Sequence, residues 1–265
     1  MTLRLLKPEG PVPDPQPAAT VVLLRSSAAG PEAFLLRRKA TASFMPGAYV
    51  FPGGMVDPED AALGADPFLV AAARECFEEA GILLATNPAG ELPPSASNWP
   101  VHRRAISAQA ARFRDFLQAH ELSLATEAIR PWSWWLTPEA EKRRFDTRFF
   151  VAMAPDQQEG VPDGDETTTS CWMPVRQAMD RYQSGEIDMA PPTVATLVEM
   201  SAFSSVNDIM EQAPWDAACR CPCFARNENG DLVILLPGDP EYPRDAEAVR
   251  GIQRVTWKRG RWWVT

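Results

Sequence analysis

Residues 66–81 constrain the fold most strongly, because they carry every local signal of a helix with one apolar face. Asp66 is a favoured N-cap residue, Pro67 suits the first helical position, and Gly81 suits the position after the C-terminus. Between them, apolar residues recur at the helical spacing i, i+4, i+7, i+8 and i+11, namely Leu69, Ala73, Cys76, Phe77 and Ala80. This stripe predicts a helix that packs on a core by one face.

The opposite face of this helix carries three glutamates, Glu75, Glu78 and Glu79, at the spacing i, i+3, i+4. Like charges at these spacings destabilise a helix by about 0.2–0.5 kcal/mol per pair. Glu78 and Glu79 also lie in the last turn, where the helix dipole disfavours anions by about 0.3–1 kcal/mol each. A hard divalent cation would relieve this repulsion, since it prefers oxygen ligands. The pattern predicts a metal site, although a solvated acidic face has the same composition.

The surrounding segments indicate a mixed α+β organisation. Two β-rich runs, TVVLLRS and EAFLLRRK, are separated by the turn-like SAAGP, and a third run, AYVFPGGMV, is broken at Pro52. We expect four parts in the chain: an extended lead-in over 1–17, a single domain over 18–265, a helical insertion within it over about 91–127, and C-terminal strands over about 230–265.

Composition excludes several classes of protein. The net charge of −9 disfavours binding to nucleic acid phosphates, and no stretch reaches the length of a membrane span. The polar, proline-rich N-terminus does not resemble a signal peptide, so we expect a cytoplasmic protein. An odd count of five cysteines favours reduced thiols over disulfides, and the spacing of Cys219, Cys221 and Cys223 assigns them no role.

Residues 74–82, with Gly53 and Gly54 upstream, resemble the Nudix box G-x5-E-x7-R-E-U-x-E-E-x-G-U, in which U is a bulky apolar residue. The second half of the box is matched from Arg74 to Ile82, with an unusual cysteine at its first apolar position. The first half is split, because fourteen residues separate Glu59 from Arg74 where the box has seven. Counting from Gly53 makes Glu59 the first acidic residue of the box, and counting from Gly54 makes it Asp60.

The run LLRRKATASFMPGAYVFPGG is similar to the signature of the coenzyme A diphosphatase branch of this family, in which a split box is typical of one group. The resemblance implies a Nudix fold, with a mixed β-sheet sandwiched between helices and a helical insertion. It implies hydrolysis of a diphosphate bond in coenzyme A or acyl-CoA. A pyrophosphatase acting on a dinucleotide or nucleotide sugar, of the ADP-ribose or NADH type, is the alternative. A non-catalytic ligand-binding module is disfavoured by the intact glutamates.

The resemblance also implies roles for the residues of the box. Glu75, Glu78 and Glu79 would hold Mg²⁺ or Mn²⁺, and Glu78 and Glu79 would take part in catalysis. Arg74 would orient a carboxylate rather than touch the substrate. Three glycines, Gly53, Gly54 and Gly81, would shape the backbone, and the first two would let the loop pass close to the metal, although a turn with positive φ would need glycine as well.

Residues outside the box complete the predicted site. Glu166 is the candidate general base, because family members commonly draw this group from a separate loop, and Asp165 is the next choice. Arg37 and Arg38 could bind substrate phosphates through the guanidinium fork, although exposure to solvent fits either residue equally well. The expected partner is a small nucleotide diphosphate, with no nucleic acid and no membrane, and a homodimer is left open.

Overall fold

The computed structural model describes residues 3–42, 45–95, 99–109, 112–213 and 218–264. Its strands, in chain order, are β1 (Arg4–Leu5), β2 (Gln16–Ser27), β3 (Gly30–Arg38), β4 (Tyr49–Val50), β5 (Gly53–Met55), β6 (Ala85–Thr86), β7 (Ser123–Leu124), β8 (Ile129–Leu136), β9 (Phe145–Met153), β10 (Thr167–Pro174), β11 (Cys219–Arg220), β12 (Cys223–Arg226), β13 (Leu232–Leu235), β14 (Arg254–Lys258) and β15 (Arg261–Val264). The α-helices are α1 (Pro67–Glu75), α2 (Trp99–Ser107), α3 (Phe113–Ala119), α4 (Val175–Ser184), α5 (Pro191–Met200) and α6 (Val206–Gln212). Short helical turns of other types cover Pro58–Leu63, Cys76–Ala80 and Thr126–Ala128.

The central sheet is mixed, with the strand order β10-β3-β2-β9-β8-β11. Strands β2 and β9 pair in parallel along their length, whereas the β2–β3 hairpin and the β8–β9 pair are antiparallel. Alternate residues of β2 enter different clusters, so that Val21 packs on one face of the sheet and Val22 on the other. Both faces are therefore buried, as the continuous apolar run of this strand requires.

Helices cover both faces of this sheet. Helix α1 packs on one face through its small residues, which include Ala72. Helices α4, α5 and α6 cover the other face, where Met179, Leu197 and Ile209 join the larger cluster. The predicted α+β class, with a mixed sheet sandwiched between helices, is confirmed.

The third apolar run, residues 48–56, crosses from strand β3 to strand β2. Strand β4 pairs with β3, with Tyr49 opposite Arg37, and β5 pairs with β2, with Gly53 opposite Thr20. The break at Pro52 moves the chain from one strand partner to the other, because proline cannot donate a ladder hydrogen bond. This crossing brings the glycine pair to the sheet beneath α1.

Apolar residues recur at helical spacing over 101–122 and over 191–212, and each of these segments forms two helices in the structure. Residues 101–122 form α2 and α3 instead of one helix, and Gln109 has a positive φ of 55° just after α2. Residues 191–212 form α5 and α6, and the Ser205 side chain caps α6 by accepting from the Asp208 amide. Apolar spacing persists across both breaks because the paired helices bury their apolar faces on the same side.

The chain ends form a second sheet with the order β1-β12-β13-β14-β15. Strand β1 lies within the segment 1–17 and pairs with β12, so that lead-in contributes to the C-terminal sheet, and β2 already begins at Gln16. Ile234 and Val255 of this sheet belong to the same core cluster as the central sheet. Cys219, Cys221 and Cys223 are free thiols. Within the described residues, no helix is both long and apolar enough to cross a bilayer.

Candidate active site

The helical segment 66–81 begins and ends at the predicted residues, but it is not α-helical throughout. The Asp66 side chain accepts a hydrogen bond from the Phe68 amide at 3.0 Å, and Gly81 ends the helical segment with φ 70°. Between them the α-helix gives way to a π-helical turn at Cys76–Ala80. A π turn holds more residues than the 3.6 of an α turn, so Glu79, rather than Glu78, follows Glu75 on the same side.

Arg74 donates hydrogen bonds to several carboxylates of the acidic cluster, which comprises Asp60, Glu75, Glu78 and Glu79. Its Nη1 atom donates to Oε1 of Glu75 at 2.8 Å and to Oε1 of Glu78 at 2.9 Å. Its Nε and Nη2 atoms donate to the two carboxylate oxygens of Asp60 at 2.9 and 3.0 Å. A bond from Nη2 to the Met55 carbonyl at 2.8 Å also ties it to β5. Arg74 therefore bonds to three carboxylates, those of Glu75 and Glu78 on its own helical segment and that of Asp60 on the 3₁₀ helix before it.

Asp60, and not Glu59, occupies the first acidic position. The Asp60 side chain is 3% exposed and also accepts from the Asp57 amide at 2.8 Å, inside the 3₁₀ helix Pro58–Leu63. Glu59 points outward and forms an exposed ion pair with Arg112 at 2.5 Å. Counting from Gly54 therefore gives the acid that contacts the box, and the additional residues follow it in the loop before α1.

The glycine pair allows the backbone to approach the box glutamates. The Gly53 amide donates to Oε2 of Glu79 at 3.0 Å. A Cβ on Gly54 would lie 2.6 Å from the carboxylate carbon of Glu75, and one on Gly53 would lie 2.7 Å from Cα of Thr20. Neither glycine has a positive φ, so close approach explains both, and the alternative of a turn that needs positive φ is wrong.

Substitution of Gly54 by alanine should impair the site more than the fold. The new methyl group would displace the Glu75 carboxylate, and a misplacement of this kind lowers activity on the order of 10²-fold. The control is Gly10→Ala, because a Cβ at Gly10 meets nothing within 4 Å. Hydrolysis rates and urea unfolding of the two variants measure the effect, and equal activity in both would show that the close approach is unimportant.

A separate loop brings Glu166 to the cluster. The Asp163 carboxylate accepts bonds from the amides of Asp165, Glu166 and Thr167 at 3.2, 3.0 and 2.9 Å. Although burial acts to raise it, these amide bonds hold the pKa of Asp163 below its usual value. The Glu166 carbonyl also accepts from the Lys39 amide at 3.1 Å. The loop is thereby fixed, with the charge of Glu166 close enough to act on Glu75 and Glu79.

Glu79 is buried, and Glu75 and Glu78 are largely buried, near like charges. Burial, helped by the neighbouring charges of Glu78 and Glu166, raises the pKa of Glu75 to about 7 against the opposing effect of Arg74. Burial, with the charges of Glu75 and Glu166, also raises the pKa of Glu79 well above its usual value. Both shifts arise first from burial, and the like charges within the cluster add to them.

The structure divides the three predicted metal ligands. Glu75 and Glu78 both accept a hydrogen bond from Arg74, but the charge of Glu166 acts on Glu75 and Glu79, whereas Glu78 lies near Ser107. Within the described ranges, no three Asp, Glu, His or Cys side chains meet closely enough to hold an ion without other ligands. Mg²⁺ is commonly bound by one or two carboxylates together with substrate phosphates, so the hard oxygen donors of Glu75 and Glu79 fit such an ion.

The two candidate phosphate-binding arginines lie on opposite faces of β3. Alternation places Arg38 on the face that carries Phe34 and Leu36, which pack with α1 in one cluster. Arg37 points to the other face, where its Nε atom donates to the Gly47 carbonyl at 3.3 Å. Arg38 is therefore the arginine on the side of the box, and Arg37 supports the loop that follows β3.

The sequence interpretation missed one residue that contacts the box, Arg103 in helix α2. It is 7% exposed and donates to backbone carbonyls at the end of the π-helical turn Cys76–Ala80, called the box turn below. The sequence does carry a sign of its burial, because Arg103 stands between Trp99 and Ile106 on the apolar stripe of α2. An arginine in the middle of such a stripe needs a buried partner.

Comparison with known proteins gives one family. A model described as the NUDT19 Nudix domain matches residues 63–200. The chain is 32% identical over 219 residues to a Caenorhabditis elegans protein named putative nudix hydrolase 7, covering 78% of this chain and 68% of that protein. It is 29% identical over 289 residues to a Gallus gallus protein named acyl-coenzyme A diphosphatase NUDT19, covering 85% of this chain and 76% of that protein.

Among solved structures, a NUDIX hydrolase from Alicyclobacillus acidocaldarius is similar to this chain. The two have a TM-score of 0.70 and 29% sequence identity, over 77% of this chain and 98% of that one. The likeness therefore extends over nearly the whole length of the second protein.

Proposed function

The chain belongs to the Nudix hydrolase family, close to its coenzyme A diphosphatase group, and on that basis we propose that it hydrolyses the diphosphate bond of coenzyme A or an acyl-CoA. The observation that carries this proposal is the position of Glu79, which is buried, and Glu75, which is largely buried, against the glycine pair Gly53 and Gly54, in a chain whose relatives include acyl-coenzyme A diphosphatases. The expected cytoplasmic location and the homodimer stay predictions.

We propose that Glu75 and Glu79 hold a divalent cation, with Glu166 beside it, and that Glu78 serves mainly to fix Arg74. A bound Mg²⁺ or Mn²⁺ would supply charge neutralisation and Lewis acidity at the diphosphate. The protein supplies orientation: Gly53 holds the Glu79 carboxylate by its amide, and Arg74 holds that of Glu75. Arg38 lies on the face of the sheet from which a guanidinium could reach a substrate phosphate.

Glu166 is proposed as the general base that takes a proton from the attacking water. It is exposed at the loop end, its loop is held by the Asp163 cap, and its charge acts on both ligand glutamates. We expect Glu166→Gln to lower kcat by about 10²–10⁴-fold, which is the usual contribution of a general base. Asp165→Asn is the matched control, because Asp165 is an exposed acid one residue away. Rate loss in both variants alike would argue against this role.

Metal affinity should depend on pH because the ligand carboxylates are protonated to unusually high pH. The pKa of Glu75 is raised to about 7, so below that pH an ion must displace a proton. Apparent affinity should then weaken by roughly tenfold per pH unit below the pKa for each displaced proton, and level off above it. Titration with Mn²⁺ between about pH 6 and pH 8 tests this dependence. A flat affinity over that interval would contradict the assignment.

A product assay tests the proposed substrate. The purified protein is incubated with Mg²⁺ and a panel of coenzyme A, short- and long-chain acyl-CoA, ADP-ribose and NADH, and the products are identified by mass. Cleavage of the coenzyme A diphosphate yields phosphopantetheine or its acyl form together with adenosine 3′,5′-bisphosphate. Faster turnover of ADP-ribose or NADH than of every CoA species would show that the proposed substrate is wrong and would favour the dinucleotide or nucleotide-sugar alternative. No turnover of any compound would favour a binding module.

A further inference from the structure

The insertion helix α2 directs two residues at the box turn. Arg103 is buried, whereas its neighbour Arg104 is exposed. Helix α2 therefore directs the Arg103 side chain inward, between apolar neighbours. Ser107 lies one turn further along, near enough to Glu78 to lower its pKa against the effect of burial, while its hydroxyl donates to the Arg103 carbonyl at 3.1 Å. The rest of the inward face packs on Phe77 through a separate apolar cluster. The insertion therefore contacts the acidic turn through both polar and apolar groups.

The end of the box turn has all its carbonyl groups satisfied, and Arg103 accounts for two of them. Its Nε atom donates to the Glu78 carbonyl and its Nη2 atom to the Glu79 carbonyl, each at 2.5 Å. The Phe77 carbonyl accepts from the Gly81 amide at 3.0 Å, and the Ala80 carbonyl from the Val161 amide at 2.8 Å. Carbonyls at a helix end have no partner within the helix, and a cation there also stabilises the helix dipole.

Arg103 also lies close to the loop that carries Glu166. The charges of Asp163 and Glu79 both act on its guanidinium. A Cβ on Gly81 would lie 3.1 Å from Nη1 of Arg103, so the glycine makes room for the side chain. The guanidinium thus sits where the box turn, the insertion and the Asp163 loop meet. Movement of this side chain would move the backbone from which the Glu79 carboxylate projects.

We propose that Arg103 is a positioning residue of the metal site: it fixes the backbone of Glu78 and Glu79 from the insertion, and so sets the affinity of the box carboxylates for a divalent ion. This inference rests on the proposed function only in that a divalent ion binds the box. It makes the insertion part of the active-site scaffold, and it requires no contact between Arg103 and the substrate.

The test measures Mn²⁺ binding without substrate, by the free-ion signal in electron paramagnetic resonance, on the full chain. Arg103→Ala should raise the dissociation constant by about 10–100-fold, as loss of an outer partner of a metal ligand does. Arg103→Lys should recover part of the affinity, because an ammonium group can still donate to these carbonyls. Arg104→Ala, on the exposed side of the same helix, should bind as the wild type does.

Circular dichroism and urea unfolding establish that each variant is folded. A folded Arg103→Ala protein with wild-type Mn²⁺ affinity would overturn the positioning role. If that variant does not fold, Arg103→Lys decides, since an unchanged dissociation constant there would overturn the role as well. Where the protein is active, KM for acyl-CoA at saturating Mn²⁺ should stay unchanged. A wild-type protein that binds no Mn²⁺ would overturn the proposed function itself, which separates the two failures.

Discussion

Replacing Glu79 with glutamine should lower kcat by about 10³-fold, because a bound metal contributes several kcal/mol and each 1.36 kcal/mol is a factor of ten in rate. The substitution keeps the shape of the side chain and removes the negative charge beside Glu75. Gly53 would still have an oxygen to which its amide can donate, so the fold should persist. Steady-state rates with acyl-CoA and Mg²⁺ measure the loss.

Two matched variants are the controls for Glu79→Gln. Glu59→Gln removes an acid whose side chain is 46% exposed and pairs with a surface arginine, and it should leave kcat unchanged. Glu78→Gln should cost less than Glu79→Gln, since Glu78 faces Arg74 and Ser107. A Glu79→Gln protein that turns over at the wild-type rate would remove Glu79 from the site.

The second large effect is on stability. Asp60→Ala should lower the free energy of unfolding by about 3–5 kcal/mol, which is typical when one partner of a buried ion pair is removed. The Asp60 side chain is 3% exposed and binds both Nε and Nη2 of Arg74, whose side chain is 12% exposed. The loss leaves a largely buried guanidinium with one carboxylate fewer. Urea unfolding followed by circular dichroism measures the change.

Glu59→Ala is the control for this prediction, because it changes the adjacent acid in the same 3₁₀ helix. Its exposed pair with Arg112 should contribute about 0–1 kcal/mol. If Glu59→Ala destabilises the protein as much as Asp60→Ala, the assignment of the first acidic position to Asp60 is wrong. The pair of variants therefore tests how the split box is aligned.

The sequence predicted those parts of the site that depend on local chemistry. The cap at Asp66, the proline after it and the terminal Gly81 define the box helix in the structure as they did in the sequence. The strand hairpin before the box also formed as the apolar runs indicated. These features could be predicted because each depends on backbone preferences of a few adjacent residues.

Features that depend on distant partners could not be predicted in this way. The π turn redirects Glu79 relative to Glu78, and nothing in the local spacing distinguishes it from an α-helical turn. The choice of Asp60 over Glu59 depends on which acid reaches Arg74, and Arg74 lies fourteen positions after Asp60 in the sequence. Arg103 finds its carbonyl partners from an insertion whose packing the sequence pattern leaves open.

The most direct test of the account is a crystal of the wild-type protein soaked with Mn²⁺ and measured at the manganese absorption edge. We expect an anomalous peak bonded to carboxylate oxygens of Glu75 and Glu79, on the side that faces Glu166. Manganese bound only elsewhere, or no peak at a concentration of Mn²⁺ that supports hydrolysis, would contradict the claim that this cluster holds the ion.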